Sequence, residues 1–150
     1  LEHDATVSVA ESCTGGLIAS RLTDYSGSSA YVSGGIITYS DESKVKLLGV
    51  SNELLKRYGA VSEEVAIAMA LGVQKQLETQ FGMSATGIAG PGGAVSGKPV
   101  GTVCVALADS NGDIISRRCQ LPGDRHRIKF QTSQVLLNLL RKTLLSISVG

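Results

Sequence analysis

A short run rich in β-branched residues, Thr6 to Ala10, hands over to a helical pattern, Leu17 to Thr23, across Glu11-Ser12-Cys13-Thr14-Gly15-Gly16. A strand that passes so directly into a helix starts a sheet-and-helix unit, and paired glycines let the backbone turn sharply at the junction. The first N–H groups of a helix lack internal partners and carry the positive end of its dipole. Such a junction can bind a phosphate, a carboxylate or a developing oxyanion. A second reading is purely local: Ser12 or Thr14 caps the helix and the glycines only make the turn.

The rest of the chain continues the alternation. Asp24 to Ser29 is turn chemistry, and Tyr31 to Tyr39 reads as a strand with Gly34-Gly35 inside it. Paired glycines there mark either a bulge or a ligand's close approach. Asp41 to Gly49 reads as a short helix with Asp41 as N-cap and Gly49 as the stop. Ser51 to Tyr58 makes another. Ser62 caps a longer helix whose apolar face is Ala66, Met69, Ala70, Val73, Leu77 and Phe81, at helical spacing. Met83 to Ile88 is the next strand. It runs into a glycine-rich loop, Ala89 to Pro99, which is either a binding element or a flexible linker. Val100 to Asp109 and Asp113 to Gln120 alternate as strands around Asn111-Gly112, a hairpin signal. A final helix spans about Arg125 to Ile147. The order strand, helix, strand, helices, three strands, helix predicts a mixed sheet covered on both faces. Ligands of such sheets bind beyond the carboxyl ends of the strands, where Ser12, Tyr39 and the Gly90 loop would meet.

Composition narrows the classes. At 150 residues the chain fits one domain with a full core, aliphatic because aromatics are only 4%. A formal charge of +1 gives no electrostatic case for nucleic acid. No apolar run approaches the ~20 residues of a spanning helix, so no membrane partner is expected. Cys13, Cys104 and Cys119 are scattered and odd in number, which suits a reducing compartment and a cytoplasmic location. With His3 and His126 the only histidines, no cluster has zinc-ligand spacing, and no metal is expected. The first strand lies so near Leu1 that the natural chain is expected to begin earlier.

A serine nucleophile needs a base. No Ser-His-Asp set can be assembled around His126, which leaves lysine. A lysine base must be neutral, hence buried or held in positive potential. Lys44 falls in the first turn after Asp41, near the positive helix end; otherwise it is an ordinary surface lysine. Cys13 is a rival nucleophile if the helix N-terminus acidifies it, and a buried structural thiol if not. Arg125, Arg127 and Lys129 crowd the start of the last helix, where cations are disfavoured; they face either an anion or solvent.

These residues resemble a known family, the C-terminal domain of CinA (competence/damage-inducible protein), whose enzymatically defined members are nicotinamide mononucleotide deamidases. The resemblance is carried by Ala10-Glu11-Ser12-Cys13-Thr14-Gly15-Gly16, Gly27-Ser28-Ser29, Thr38-Tyr39-Ser40 with Lys44, and Gly59-Ala60-Val61-Ser62. It continues through Gly87-Ile88-Ala89-Gly90-Pro91, Lys98 to Val103, and Gly123-Asp124-Arg125. It implies a three-layer α/β/α fold with a mixed, mostly parallel sheet of about five strands, residues 1–150 forming one domain. It implies an amidohydrolase that uses a Ser/Lys dyad without metal or cofactor on a small nucleotide. By motif the dyad is Ser12 and Lys44, with Tyr39 as a third catalytic candidate and Thr14, Gly15, Gly16, Gly90 and Arg125 toward substrate. A homo-oligomer is expected. Two departures stand out: Lys129 replaces an arginine of the family pattern, and the family's helix before the first strand has no counterpart. The alternative is a non-catalytic nucleotide-binding or regulatory module built on the same loops.

Overall fold

The computed structural model describes residues 4–149; Leu1 and His3 lie outside them. Five strands form one sheet: β1 (Val7–Glu11), β2 (Val32–Ile37), β3 (Phe81–Gly87), β4 (Thr102–Asp109) and β5 (Ile114–Gln120). The helices are α1 (Leu17–Leu22), α2 (Asp41–Leu48), α3 (Asn52–Tyr58), α4 (Glu63–Leu77) and α5 (Arg125–Val149). The sheet order is β2-β1-β3-β4-β5. β1 pairs in parallel with both β2 and β3, while β4 runs antiparallel to β3 and β5. The fold is therefore three-layer α/β/α on a mixed sheet.

Alternation along the inner strands explains the two faces. Val7 and Val9 of β1, Met83 of β3, and Val103, Val105 and Leu107 of β4 pack with Ile18 and Leu22 of α1 and Ile128, Leu136 and Leu140 of α5. The opposite face is made of small residues. Cys104, Ala106 and Ala108 of β4 meet Ala66 and Ala70 of α4, and that helix also packs Val65, Met69 and Val73 beneath α2 and α3. Small side chains let α4 lie close to the sheet: a Cβ at Gly82 would collide with the Ala70 carbonyl, and one at Gly72 with the Leu48 carbonyl. The sequence alternation thus becomes a tight layer on one face and a thicker one on the other.

Several expectations are corrected. Phe81 does not extend the face of α4. Glu78 turns left-handed at φ 52, ending the helix at Leu77, and Phe81 starts β3 with 1% exposure. Asp41 is the first residue of α2, not its cap; Ser40 caps it by accepting from the Ser43 N–H at 3.1 Å. Neither Ser12 nor Thr14 caps α1, whose N-cap is Gly16 with no side-chain cap bond. At Gly34-Gly35 the bulge reading holds: the β1–β2 register slips one residue between Val32 and Gly34, and a Cβ on Gly35 would lie 3.2 Å from Val9 Cγ1 and 3.4 Å from Ala19 Cβ. That glycine serves packing. The Ala89–Pro99 loop is pinned rather than free: Val95 and Lys98 bridge each other, Lys98 Nζ donates to the Tyr58 carbonyl at 2.6 Å, and Arg118 donates to that of Gly97 at 2.6 Å.

The connections leave β1 in opposite senses. β1-α1-β2 crosses one face, and β2-α2-α3-α4-β3 returns over the other to β1's second neighbour. The carboxyl end of β1 is therefore the switch point of the sheet, the place where such folds open a crevice.

Candidate active site

Ser12 follows the last residue of β1 and stands at that crevice. Its N–H donates to the Ala85 carbonyl of β3 at 3.0 Å, and its carbonyl accepts from the Gly15 N–H at 3.1 Å. Lys44 comes from the other side of the sheet, on the first turn of α2. Its stem runs inward until Nζ lies 3.1 Å from Ser12 Oγ and donates to the Thr38 carbonyl at 2.8 Å. Lys44 is only 1% exposed and heads the fully buried side chains by size. No carboxylate forms an ion pair with it among the described residues. Burial pushes its pKa below the ordinary lysine value of 10.5, partly offset by the negative charge of Asp41. Desolvation disfavours the ammonium, so the pocket favours the neutral amine that a base needs. Burial, rather than the first-turn position, is the leading cause of that shift.

The cleft above this pair holds about 270 Å³. Tyr39, Asp41, Thr86, Gly90 and Arg125 line it beside Ser12 and Lys44. Arg125, at the start of α5, spans its mouth: one guanidinium nitrogen donates to the Gly90 carbonyl at 2.7 Å, another to the Tyr39 hydroxyl at 2.8 Å. Tyr39 is 60% exposed. Its hydroxyl accepts from Arg125. An apolar recess elsewhere, between β1, α1 and α5, is lined by Val7, Leu22, Tyr31, Phe81 and Leu140 and contains neither Ser12 nor Lys44.

The glycine turn behaves differently from expectation. Gly15 and Gly16 adopt positive φ of 61 and 107, which L side chains avoid. The Gly15 N–H is committed to Ser12. The first N–H groups of α1 are also taken: the Glu11 carboxylate accepts from Ile18 N–H at 2.9 Å and from Ala19 N–H at 3.0 Å. The helix end proposed for a substrate anion is filled by the chain's own anion. Burial, first among several influences, pushes the Cys13 thiol up to about 11, which disfavours the thiolate that a nucleophile needs.

Two participants, Glu11 and Thr38, escaped sequence reasoning. Glu11 was visible in the motif, but nothing local says that its side chain reaches forward seven residues. Thr38 holds Lys44 through a main-chain carbonyl, for which side-chain identity gives no signal. Lys129 extends toward the turn, its Nζ 4.0 Å from where a Gly15 Cβ would sit; its spacing one turn after Arg125 was the available clue. The Thr14 and Thr38 hydroxyls are buried and without hydrogen-bond partners. Among the described residues no group of three or more His, Cys, Asp or Glu could hold a metal ion, and no helix is long and apolar enough to cross a membrane.

The CinA C-terminal domain profile matches residues 1–144. A CinA-like protein of Geotalea uraniireducens is 53% identical over 146 residues, covering 97% of this chain and 34% of its own length. One from Mycolicibacterium gilvum is 50% identical over 139 residues, 93% of this chain and 33% of the relative. The chain thus spans about a third of the curated relatives it matches. Among solved structures, a competence/damage-inducible protein from Agrobacterium tumefaciens superposes with a TM-score of 0.92 at 41% identity, covering 94% of this chain and 86% of the other. A CinA superfamily protein from Klebsiella pneumoniae gives 0.93 at 31% identity, with coverage of 97% and 90%.

Proposed function

The chain belongs to the CinA C-terminal domain family, and on that premise we propose that it is a serine amidohydrolase converting nicotinamide mononucleotide to nicotinic acid mononucleotide and ammonia. One observation carries the reading: a lysine amine buried to 1% exposure, ion-paired with no carboxylate among the described residues, sits 3.1 Å from a serine hydroxyl at the floor of a cleft.

In this mechanism neutral Lys44 takes the Ser12 proton as Oγ attacks the carboxamide carbon. The pyridinium ring of the substrate withdraws electrons and makes that carbon more electrophilic. With Gly15 committed to Ser12, the oxyanion donors narrow to the Thr14 and Gly16 N–H groups, each such donor being worth roughly 2.7–4 kcal/mol in the transition state. Protonated Lys44 then delivers its proton to the leaving ammonia, and water releases the acid from the acyl-serine. Because Glu11 fills the start of α1, the substrate phosphate falls to Arg125, whose planar fork matches phosphate oxygens. Binding it would exchange the Tyr39 and Gly90 contacts for substrate oxygens.

The test is ammonia release from nicotinamide mononucleotide by wild type, Ser12→Ala and Lys44→Ala. Turnover that survives undiminished in either variant rejects the dyad. A module that holds the nucleotide without hydrolysing it would instead bind with no ammonia and be indifferent to Ser12→Ala.

A further inference from the structure

We propose that Glu11 is a positioning residue for the Ser12 nucleophile, joining the two halves of the site through its side chain and its main chain. The inference rests on the Ser12–Lys44 reading above. Glu11 is 1% exposed and immediately precedes Ser12. Its carboxylate ties the near side of the serine turn to α1 through the Ile18 and Ala19 N–H groups, so the turn is closed at both ends. Its own carbonyl accepts from the Thr38 N–H at 2.8 Å. Thr38 in turn uses its carbonyl to hold Lys44 Nζ at 2.8 Å.

One residue thus stands between both partners of the dyad. Toward one side it leads through one peptide bond to Ser12; toward the other, through two hydrogen bonds to the lysine amine. The main-chain half of this link survives any substitution. The side-chain half does not, and with it goes the tie from the turn to α1, leaving only the short main-chain bonds from Gly15 N–H to the Ser12 carbonyl and from Leu17 N–H to the Thr14 carbonyl to hold the turn. Glycines at φ 61 and 107 supply little stiffness of their own. Loosening the turn displaces Ser12 Oγ relative to an amine fixed separately on α2. Displacements near 1 Å cost on the order of 100-fold in reactions that depend on alignment.

The experiment uses the full chain as wild type, Glu11→Gln, Glu11→Asp and Ser51→Ala. Gln keeps the shape of Glu but faces one of the two N–H donors with an amide NH2. Asp keeps both acceptor oxygens on a shorter arm. Ser51→Ala removes the cap of α3, a hydroxyl that accepts from Leu54 N–H and does not line the cleft, and serves as a control for general destabilisation. Two rates are measured, labelling of Ser12 by a fluorophosphonate and ammonia release with kcat and KM separated, alongside the thermal midpoint. Glu11→Gln is expected to lower labelling and kcat together by roughly 10- to 100-fold, with KM within about 3-fold. Asp is expected to recover part of the loss, and Ser51→Ala to label at the wild-type rate despite a lowered midpoint. Wild-type labelling of Glu11→Gln, or an equal loss in Ser51→Ala, overturns the proposal. If Glu11→Gln does not fold, Glu11→Asp decides: an unchanged rate overturns it, a reduced kcat at constant KM supports it. A wild type that never labels rejects the dyad itself, which separates that failure from this one.

Discussion

Ser12 and Lys44, which meet beyond the carboxyl end of β1, are held in different ways. Lys44 rides on α2, whose start follows a local rule: Ser40 caps the helix three residues on, as Ser51 caps α3 and Ser62 caps α4. Each of these caps is a serine hydroxyl accepting an N–H from its own neighbourhood. Ser12 rides on a turn whose helix has no such cap. There a carboxylate from the end of the strand reaches across the turn to α1. A hydroxyl cap fixes only the helix that it starts. The Glu11 carboxylate fixes the helix and, with it, the conformation of everything between. The comparison teaches that the lysine side is built from replaceable local parts, and the serine side from a single residue with several duties.

Breaking the chemistry itself should give the largest effect. Ser12→Ala is expected to lower kcat for ammonia release by at least about 1000-fold, as loss of a nucleophile does elsewhere, with thermal stability kept. Lys44→Met should come close to this, since removing either member of a unit costs about as much as removing both. Retention of a tenth of the wild-type rate in either variant would sink the comparison at its root.

The pH dependence sharpens the lysine half. Lys44 acts when neutral, so kcat/KM should rise with pH along a limb centred below 10.5, because burial lowers its pKa. Linkage has the same sign. The folded state releases the Lys44 proton at lower pH than the unfolded chain does, so folded protein gains stability as pH climbs from the lowered value toward 10.5. The midpoint of wild type relative to Lys44→Met should therefore increase across that window; a flat difference would show that the amine pays no burial cost.

Packing beneath the lysine comes next. Gly72 lets α4 pass against the end of α2, where an added Cβ meets the Leu48 carbonyl. Gly72→Ala should destabilise by roughly 1–3 kcal/mol, measured by denaturant unfolding. Because it pushes on the helix carrying Lys44, kcat should drop as well. The smallest effect is reserved for Ser51→Ala, about 1 kcal/mol of stability with unchanged kcat.

How much of this could be read beforehand depends on whether the deciding contact was local. Strand and helix order were legible because alternation and 3.6-residue spacing report which side of an element is apolar. Ser62 was legible as a cap because its partner is three residues away, whereas Ser40 and Asp41 are both capping residue types at one boundary and residue type alone does not tell which one caps α2. Phe81 misled because its spacing from Leu77 fits a helix; the left-handed turn at Glu78 that intervenes has no compositional mark. The pinned loop resisted for another reason. Glycine content signals freedom, and the Lys98 and Arg118 contacts that remove it come from distant elements.

By itself the sequence determined the layer order, the aliphatic core and the motif residues that the family resemblance picks out, because these depend on periodicity and residue type. Only the tertiary structure decided that Lys44 is buried against Ser12, that Arg125 bridges Tyr39 and Gly90, and that Glu11 occupies the end of α1. The physical reason is separation along the chain. Desolvation of an amine and capture of N–H donors are set by what folds over them, and residues 32 or 86 positions apart in sequence meet only once the sheet has brought its carboxyl edge together.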